Sequence, residues 1–383
     1  MDESNELQHE IQELMSLLEA FKQLNSNLEI QDVFEDILLQ MVKVISAEAG
    51  TLWVVDRERD IVKAVAAYGE SAAKILHIEL EMAEGIVGKV IMSGKELLIE
   101  DVSSHPNWSS RADSTSGFVT KSMLTVPLVV KGQVLGALQL VNKKNCLHFT
   151  EQDMSLAVVL ASQSALALNN SQMFDQLSRM LLSMIRTLAK VLDARDPYTA
   201  GHSERVAKYS RWIAQRIGMD SQQTEELYKA ALLHDIGKIG IPDDILRKPG
   251  RLTKEEYDSI KLHTIIGADI LSNIEPKTAM KQAIGTTRSH HERLDGTGYP
   301  DGLSGEAIPL FAKIVGIADA FDAMTTARSY SSGLPLRDGA AELIRCKDTL
   351  FDGELVDAFV AILEECGYEI DQHDEKDGRG PLL

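Results

Sequence analysis

The sequence predicts a multidomain protein in which an α/β (α+β) module is joined by a long helix to an all-α domain. Three observations predict it. Residues 29–153 mix helical spacing with alternating, strand-like runs; residues 154–193 contain neither Gly nor Pro; and beyond 194 several histidines recur within apolar helical segments. At 383 residues the chain has room for two or three domains.

Taken in order, residues 7–28 place Leu7, Ile11, Leu14, Leu18, Phe21 and Leu28 at three- and four-residue steps, with Asn25 as the polar seam position. This predicts a coiled coil of roughly three heptads and hence a parallel homodimer, the other reading being a helix packed on its own domain. From 29 to 153, "DVFEDILLQMVKVIS" has helical spacing and "AGTLWVVDRERDIVKAVAAYG" reads as two strands around a polar turn. A hairpin through Lys131-Gly132 follows. Residues 154–193 predict one connecting helix, ended by Asp196-Pro197. The all-α domain occupies 194–370, and the polar tail 371–383 has a disordered composition.

Composition limits the functions. A formal charge of −19 argues against nucleic acid as the main partner. No run reaches 18 apolar residues, so no membrane span is expected. The N-terminus "MDESNELQHE" lacks the basic and apolar regions of a signal peptide, and a soluble cytoplasmic protein is expected. Cys146, Cys346 and Cys366 are widely spaced, which predicts reduced thiols rather than a disulfide framework.

Residues 29–153 resemble a GAF domain, a small-molecule-sensing module. The resemblance is carried by Gly85-Ile86-Val87-Gly88, by Ser122 to Leu128, by Gly136 and Leu138 to Lys143, and by Phe149 and Asp153. It implies an effector, a small molecule or a cyclic nucleotide, whose identity is open. Asn142, Lys143, Phe149 and Asp153 match an Asn-Lys…Phe-x3-Asp signature of cyclic nucleotide-binding members, although Met154 stands where Glu is usual; the other reading of these residues is a strand end, a loop and a helix cap.

In "ALLHDIGKIGIPDDILRKPG", His234, Asp235 and Lys238 lie among Leu232, Leu233, Ile236 and Ile239, which read as a buried helix. Burying three ionisable groups there is costly without partners, and a bound cation is the natural one. Further candidates follow in "AGHSERV" (His202), "IKLHTIIG" (His263), "SHHERLDGTGYP" (His290, His291) and "IADAFDAM" (Asp319).

The set resembles the HD-GYP family of metal-dependent cyclic dinucleotide phosphodiesterases, on the motifs His234-Asp235-Ile236-Gly237-Lys238 and His290-His291-Glu292, Asp295-Gly296, Gly298-Tyr299-Pro300. The resemblance implies that His202, His234, Asp235 and Asp319 hold one metal, with Asp235 bridging to a second held by His263, His290 and His291. It favours iron or manganese, and Tyr198, where a third-metal member has Glu, implies two ions. Two ions activate a water between them and clamp phosphate oxygens for in-line attack. Asp235 and Lys238 are the candidate catalytic residues, Lys238 neutralising phosphate charge. The expected substrate contacts are Arg293, Gly298, Tyr299, Pro300 and Arg328, with Tyr299 offering an aromatic face to guanine. Glu292 and Asp295 are expected to orient the ligands from behind, and Asp322 to do the same or to cap a neighbouring helix. Where many relatives have Arg-Pro-Tyr-Arg, this chain has Arg328-Ser329-Tyr330-Ser331, so the substrate loop differs. The implied function is sensor-regulated hydrolysis of cyclic di-GMP to pGpG or GMP. The alternatives are hydrolysis of hybrid cyclic GMP-AMP and a catalytically decayed receptor.

Overall fold

The computed structural model describes residues 30–106, 117–144, 146, 148–196, 201–326 and 333–368. The expected coiled coil at 7–28, the tail at 371–383, Tyr198 and Arg328 lie outside the described residues. Two compact units divide the chain after Ser178.

The first unit is built on a six-stranded antiparallel sheet in the order β3-β2-β1-β6-β5-β4. Its strands are β1 (Ala47–Asp56), β2 (Ile61–Tyr68), β3 (Glu79–Glu81), β4 (Leu97–Ile99), β5 (Met123–Val130) and β6 (Gln133–Lys143). The period-2 alternation sends Leu52, Leu124, Leu138 and Leu140 to one face, where they pack under α1 (Ile30–Ile45) and the first turns of a long helix. Trp53, Val62 and Ala137 face the opposite way, under Val87, Val90 and Ile91 of α3 (Gly85–Ser93); the short α2 (Ala72–Ile75) precedes β3. On this second face lies a cavity of about 120 Å³ whose walls include Trp53, Ile75, Ile86, Met123 and Gln139.

None of Asn142, Lys143, Phe149 and Asp153 lines that cavity. Asn142 accepts from the Lys121 amide and donates to Glu48 and to the Val119 carbonyl, while the Lys143 ammonium donates to the Ile45 carbonyl and Asp153. Phe149 is fully buried in the other core. Lys143 and Asp153 thus tie β6 to the start of the long helix, while Asn142 ties the end of β6 to β1 and to the segment before β5.

That helix, α4, runs from Glu151 to Arg195, starting and ending slightly beyond the 154–193 expected. Asp153 explains its start. The Thr150 amide donates to Asp153 and the Asp153 amide to Thr150, a reciprocal cap on the exposed amides of the first turn. Ala157, Ala161, Ala165 and Leu168 join the sheet's core, whereas Ile185 and Ala189 join the core of the second unit.

The second unit is helical: α5 (His202–Arg216), α6 (Ser221–Leu233), α7 (Asp243–Leu246), α8 (Lys254–Lys261), α9 (His263–Ser272), α10 (Lys277–Ser289), α11 (Leu310–Thr325), α12 (Leu336–Arg345) and α13 (Gly353–Glu365). Its core centres on Tyr209, Phe321 and Phe359, whose rings meet at 5.0–5.7 Å in edge and tilted contacts.

Candidate metal centre

The histidines collect at helix ends. His202 opens α5, His234 and His290 cap the C-termini of α6 and α10, and His263 starts α9. The expected continuous helix through Ile239 is not formed. α6 stops at Leu233, and Ile236–Gly240 is a 3-10 turn on which Ile239 is half exposed. The cause is Gly237, packed so closely on α9 that a Cβ there would stand 1.9 Å from the His263 carbonyl oxygen and 2.4 Å from the Gly267 nitrogen. The tight turn lets α9 approach, and the approach brings His263 to Asp235.

Two donor clusters result: His202, His234 and Asp319 form one, and Asp235, His263, His290 and His291 the other. Asp235 faces both. Its Oδ2 lies 3.4 Å from His234 Nε2 and 3.7 Å from His202 Nε2, while Oδ1 lies 3.3 Å from His263 Nε2 and 3.9 Å from His290 Nε2. Asp319 approaches His202 at 3.3 Å and His291 at 3.9 Å through its two oxygens.

Ring orientations support a cation. The Nδ1 of His234, His263 and His290 donates to the carbonyls of Ala231, Ile260 and Thr287, each three residues back, at 2.6, 2.7 and 3.0 Å. A carbonyl only accepts, so each of these rings carries its proton on Nδ1 and turns a bare Nε2 inward. His202 Nδ1 is held by Asp322 at 2.7 Å, and Asp322 is in turn fixed by two bonds from Arg205. His234 Nε2 is buried without a hydrogen-bond partner, and the Nε2 atoms of His263 and His290 face each other at 3.5 Å. Buried acceptors aimed at one another are tolerable around a positive charge. The residues therefore fit a divalent metal.

Burial holds His263, His290 and His291 below the ordinary imidazole value, His291 at about 3, so they stand neutral and ready to ligate. His202 differs. Burial opposes its charge, but hydrogen bonds with Asp319 and Asp322 outweigh burial and lift it to about 9. Asp235 and Asp319 stay ionised far below the usual carboxylate range: burial opposes this, and it is outweighed for Asp235 by Lys238 and for Asp319 by His202. A metal must consequently displace a proton from His202. Apparent affinity of the metal-free protein for Mn²⁺ is expected to rise about tenfold per pH unit and level off above about pH 9, with release of one proton per chain followed in weak buffer below that pH. A flat affinity between neutral pH and that plateau would contradict this charge state.

The remaining expected residues divide. Tyr299 stacks on His291 at 4.7 Å, joined to Pro300 by a cis bond, and Gly298 lies so close to His291, Glu292 and Arg293 that a Cβ would meet their backbone at 2.4–2.6 Å. Glu292, expected behind a histidine, instead accepts from the amides of Asp301 and Leu303 and closes the loop. Asp295 likewise accepts from Thr297 and touches no histidine. Arg293, expected at the substrate, spends Nη1 on the carbonyls of His290 and Glu292 and lies over Phe351. All three are turn-forming contacts that residue type alone does not distinguish from ligand support.

Sequence reasoning missed Arg205, one helical turn beyond His202, which that spacing makes detectable. It also missed Lys261 and Tyr257. The Lys261 ammonium stands 4.8 Å from the Tyr257 ring centroid and 5.7 Å from that of Tyr299.

Residues 186–355 match the family model described as HD domain, and residues 27–169 match that of the GAF domain. The chain is 38% identical over 227 residues to the cyclic di-GMP phosphodiesterase response regulator RpfG of Xanthomonas campestris, covering 58% of this chain and 59% of that protein. It is 42% identical over 195 residues to a cyclic di-GMP phosphodiesterase of Thermotoga maritima, covering 51% and 52%. To the 3'3'-cGAMP-specific phosphodiesterase 3 of Vibrio cholerae it is 39% identical over 171 residues, covering 45% and 36%. The chain thus spans about half the length of the first two relatives and less of the third. No helix among the described residues is long and apolar enough to cross a membrane.

Proposed function

We propose, for a chain that carries a GAF domain and an HD domain, that it hydrolyses cyclic di-GMP at a two-metal centre under control of the GAF domain. The observation that carries the reading is Asp235, whose two oxygens face two separate histidine clusters. His202, His234, Asp235 and Asp319 would hold one ion, and Asp235, His263, His290 and His291 the other. Histidine and carboxylate donors suit iron or manganese. Bound there, two divalent ions activate water and clamp phosphate oxygens.

The chain's own residues do the rest. Lys238, 2.7 Å from Asp235 and kept charged against burial by that carboxylate, offers a cation to the phosphate charge that grows during in-line displacement. Tyr299, with Tyr257 and Lys261 beside it, presents an aromatic wall and a cation where a guanine would lie. Arg328 is proposed as a further phosphate contact. The product would be pGpG or GMP.

A parallel homodimer completes the proposal. Leu166, Met173, Leu177, Met180, Met184 and Val191 are exposed on α4 and recur at steps of seven, four, three, four and seven, a heptad seam that a second copy covers. The GAF effector would enter the cavity and bias the two helices between arrangements. A cytoplasmic location follows from the intracellular nature of the proposed substrate.

Anaerobic purification, loading with iron or manganese, and chromatography of products from cyclic di-GMP and 3'3'-cGAMP test the reading. Hydrolysis abolished by chelation and restored by metal is expected, with cyclic di-GMP the faster substrate. Faster turnover of 3'3'-cGAMP would reassign the substrate. Tight binding of either dinucleotide without turnover by fully loaded protein would make the chain a receptor.

A further inference from the structure

The last turn of α4 reaches the 3-10 turn that carries Lys238. Arg195 donates from Nη1 to the Lys238 carbonyl and from Nη2 to the Ile241 carbonyl, both at 2.7 Å, and from Nε to the Asp243 carboxylate at 2.9 Å. The Lys238 carbonyl also accepts from the Ile241 amide at 3.1 Å, so Arg195 adds a second, charged donor to it at the end of the turn. A guanidinium, permanently charged and with its donors in a rigid fork, is well suited to close such an end. Next to it, the buried Asp196 places Oδ2 3.5 Å from the Lys238 ammonium. Asp193, one turn earlier, accepts from the Ser203 hydroxyl at 2.8 Å, beside His202.

Lys238 therefore stands between two carboxylates on different elements. Asp235, the nearer, faces the histidine clusters, and its charge is the one an ion would draw on. With Asp235 alone as partner, the ammonium would lose much of its hold once the site was loaded. Asp196 belongs to neither cluster, so it would supply an anchor on which a bound ion does not draw. Arg195 fixes the backbone from which the lysine springs.

We infer that Arg195 and Asp196 are positioning residues for the phosphodiesterase reaction, through which the end of the connecting helix sets where the Lys238 ammonium stands. A displacement of this helix end would change the rate by moving Lys238 while leaving all seven proposed ligands in place. The inference rests on the phosphodiesterase reading, and its test separates the two.

In the full-length, metal-loaded protein, Asp196→Asn is expected to lower kcat about tenfold, the scale of losing an orienting partner. KM for cyclic di-GMP and bound metal should stay unchanged, and Asp196→Glu should recover part of the rate. Made in the Lys238→Met background, Asp196→Asn should add no further loss, because it acts through that side chain. Equal fold-losses in both backgrounds, or loss of metal, would overturn the positioning role. Arg195→Met should speed amide hydrogen exchange across residues 236–241 selectively, which needs no substrate. Unchanged exchange there would overturn the brace even in an active enzyme. Absence of hydrolysis by the wild-type protein would overturn the phosphodiesterase reading and the catalytic part of the inference, while the exchange measurement would still decide whether Arg195 holds the turn.

Discussion

Asp235→Ala is expected to empty both halves of the proposed centre and to abolish measurable hydrolysis. The two carboxylate oxygens face different clusters, so removing one side chain takes a donor from each. It also leaves the Lys238 ammonium without its 2.7 Å partner, with Asp196 at 3.5 Å to offset its charge, beside the histidines just where cations must bind. Loss of an outer partner of a metal ligand costs roughly 10–100-fold. A shared ligand should cost well over that, about 10³-fold or more in kcat/KM. Elemental analysis after desalting should fall from two ions per chain toward none, with helical circular dichroism retained. An Asp235→Ala protein that keeps two ions and turns over near the wild-type rate would remove the bridging assignment and the mechanism with it.

The second large effect is expected from the smallest side chain that can be added. Gly237→Ala would set a methyl group 1.9 Å from the His263 carbonyl oxygen and 2.4 Å from the Gly267 nitrogen. Both are backbone atoms, so no rotamer change relieves the clash, and the 3-10 turn and α9 must separate. Overpacking of this kind costs typically 1–3 kcal/mol and occasionally more; about 3 kcal/mol is expected here. For a domain of this size that corresponds to a fall in Tm of roughly 6–12 °C. Calorimetry of the metal-free full chain should show the shift in the transition of the HD domain alone, the GAF transition serving as internal reference. The same separation draws His263 away from Asp235, so metal content should fall as well. Unaltered melting with full metal occupancy would mean that the turn and α9 are not packed as described.

The gathering of the histidines and aspartates was legible because its chemistry is concentrated in residue type. Five histidines and two aspartates embedded in apolar helical sequence are hard to explain otherwise, and all seven fall into the two clusters. The long helix was legible from the absence of Gly and Pro, its start less so, because Asp153 both caps α4 and pairs with Lys143. The 3-10 turn was not legible. Local periodicity fits a helix through Ile239, and the packing of Gly237 on α9 that prevents it involves residues some thirty positions away. For the same reason Arg195 and Asp196 escaped notice: their partners lie more than forty residues along the chain, a distance at which spacing carries no signal. Glu292 and Arg293 show how a residue beside a motif can carry loop contacts that residue type does not announce, Glu292 accepting from two loop amides and Arg293 donating to the Glu292 carbonyl.

The inward turn of the histidine rings has a consequence for how the centre acquires its ions. In His234, His263 and His290 the outer nitrogen is spoken for by a carbonyl three residues earlier, at or beside a helix end. The tautomer is thus settled before any metal arrives, and loading of those three positions involves no ring flip and no relocation of a proton between nitrogens. Such a template would accept whichever suitable ion reached it first. An ion bound there would then record what its surroundings supplied while the chain folded, and metal availability itself would become an input to the proposed phosphodiesterase activity.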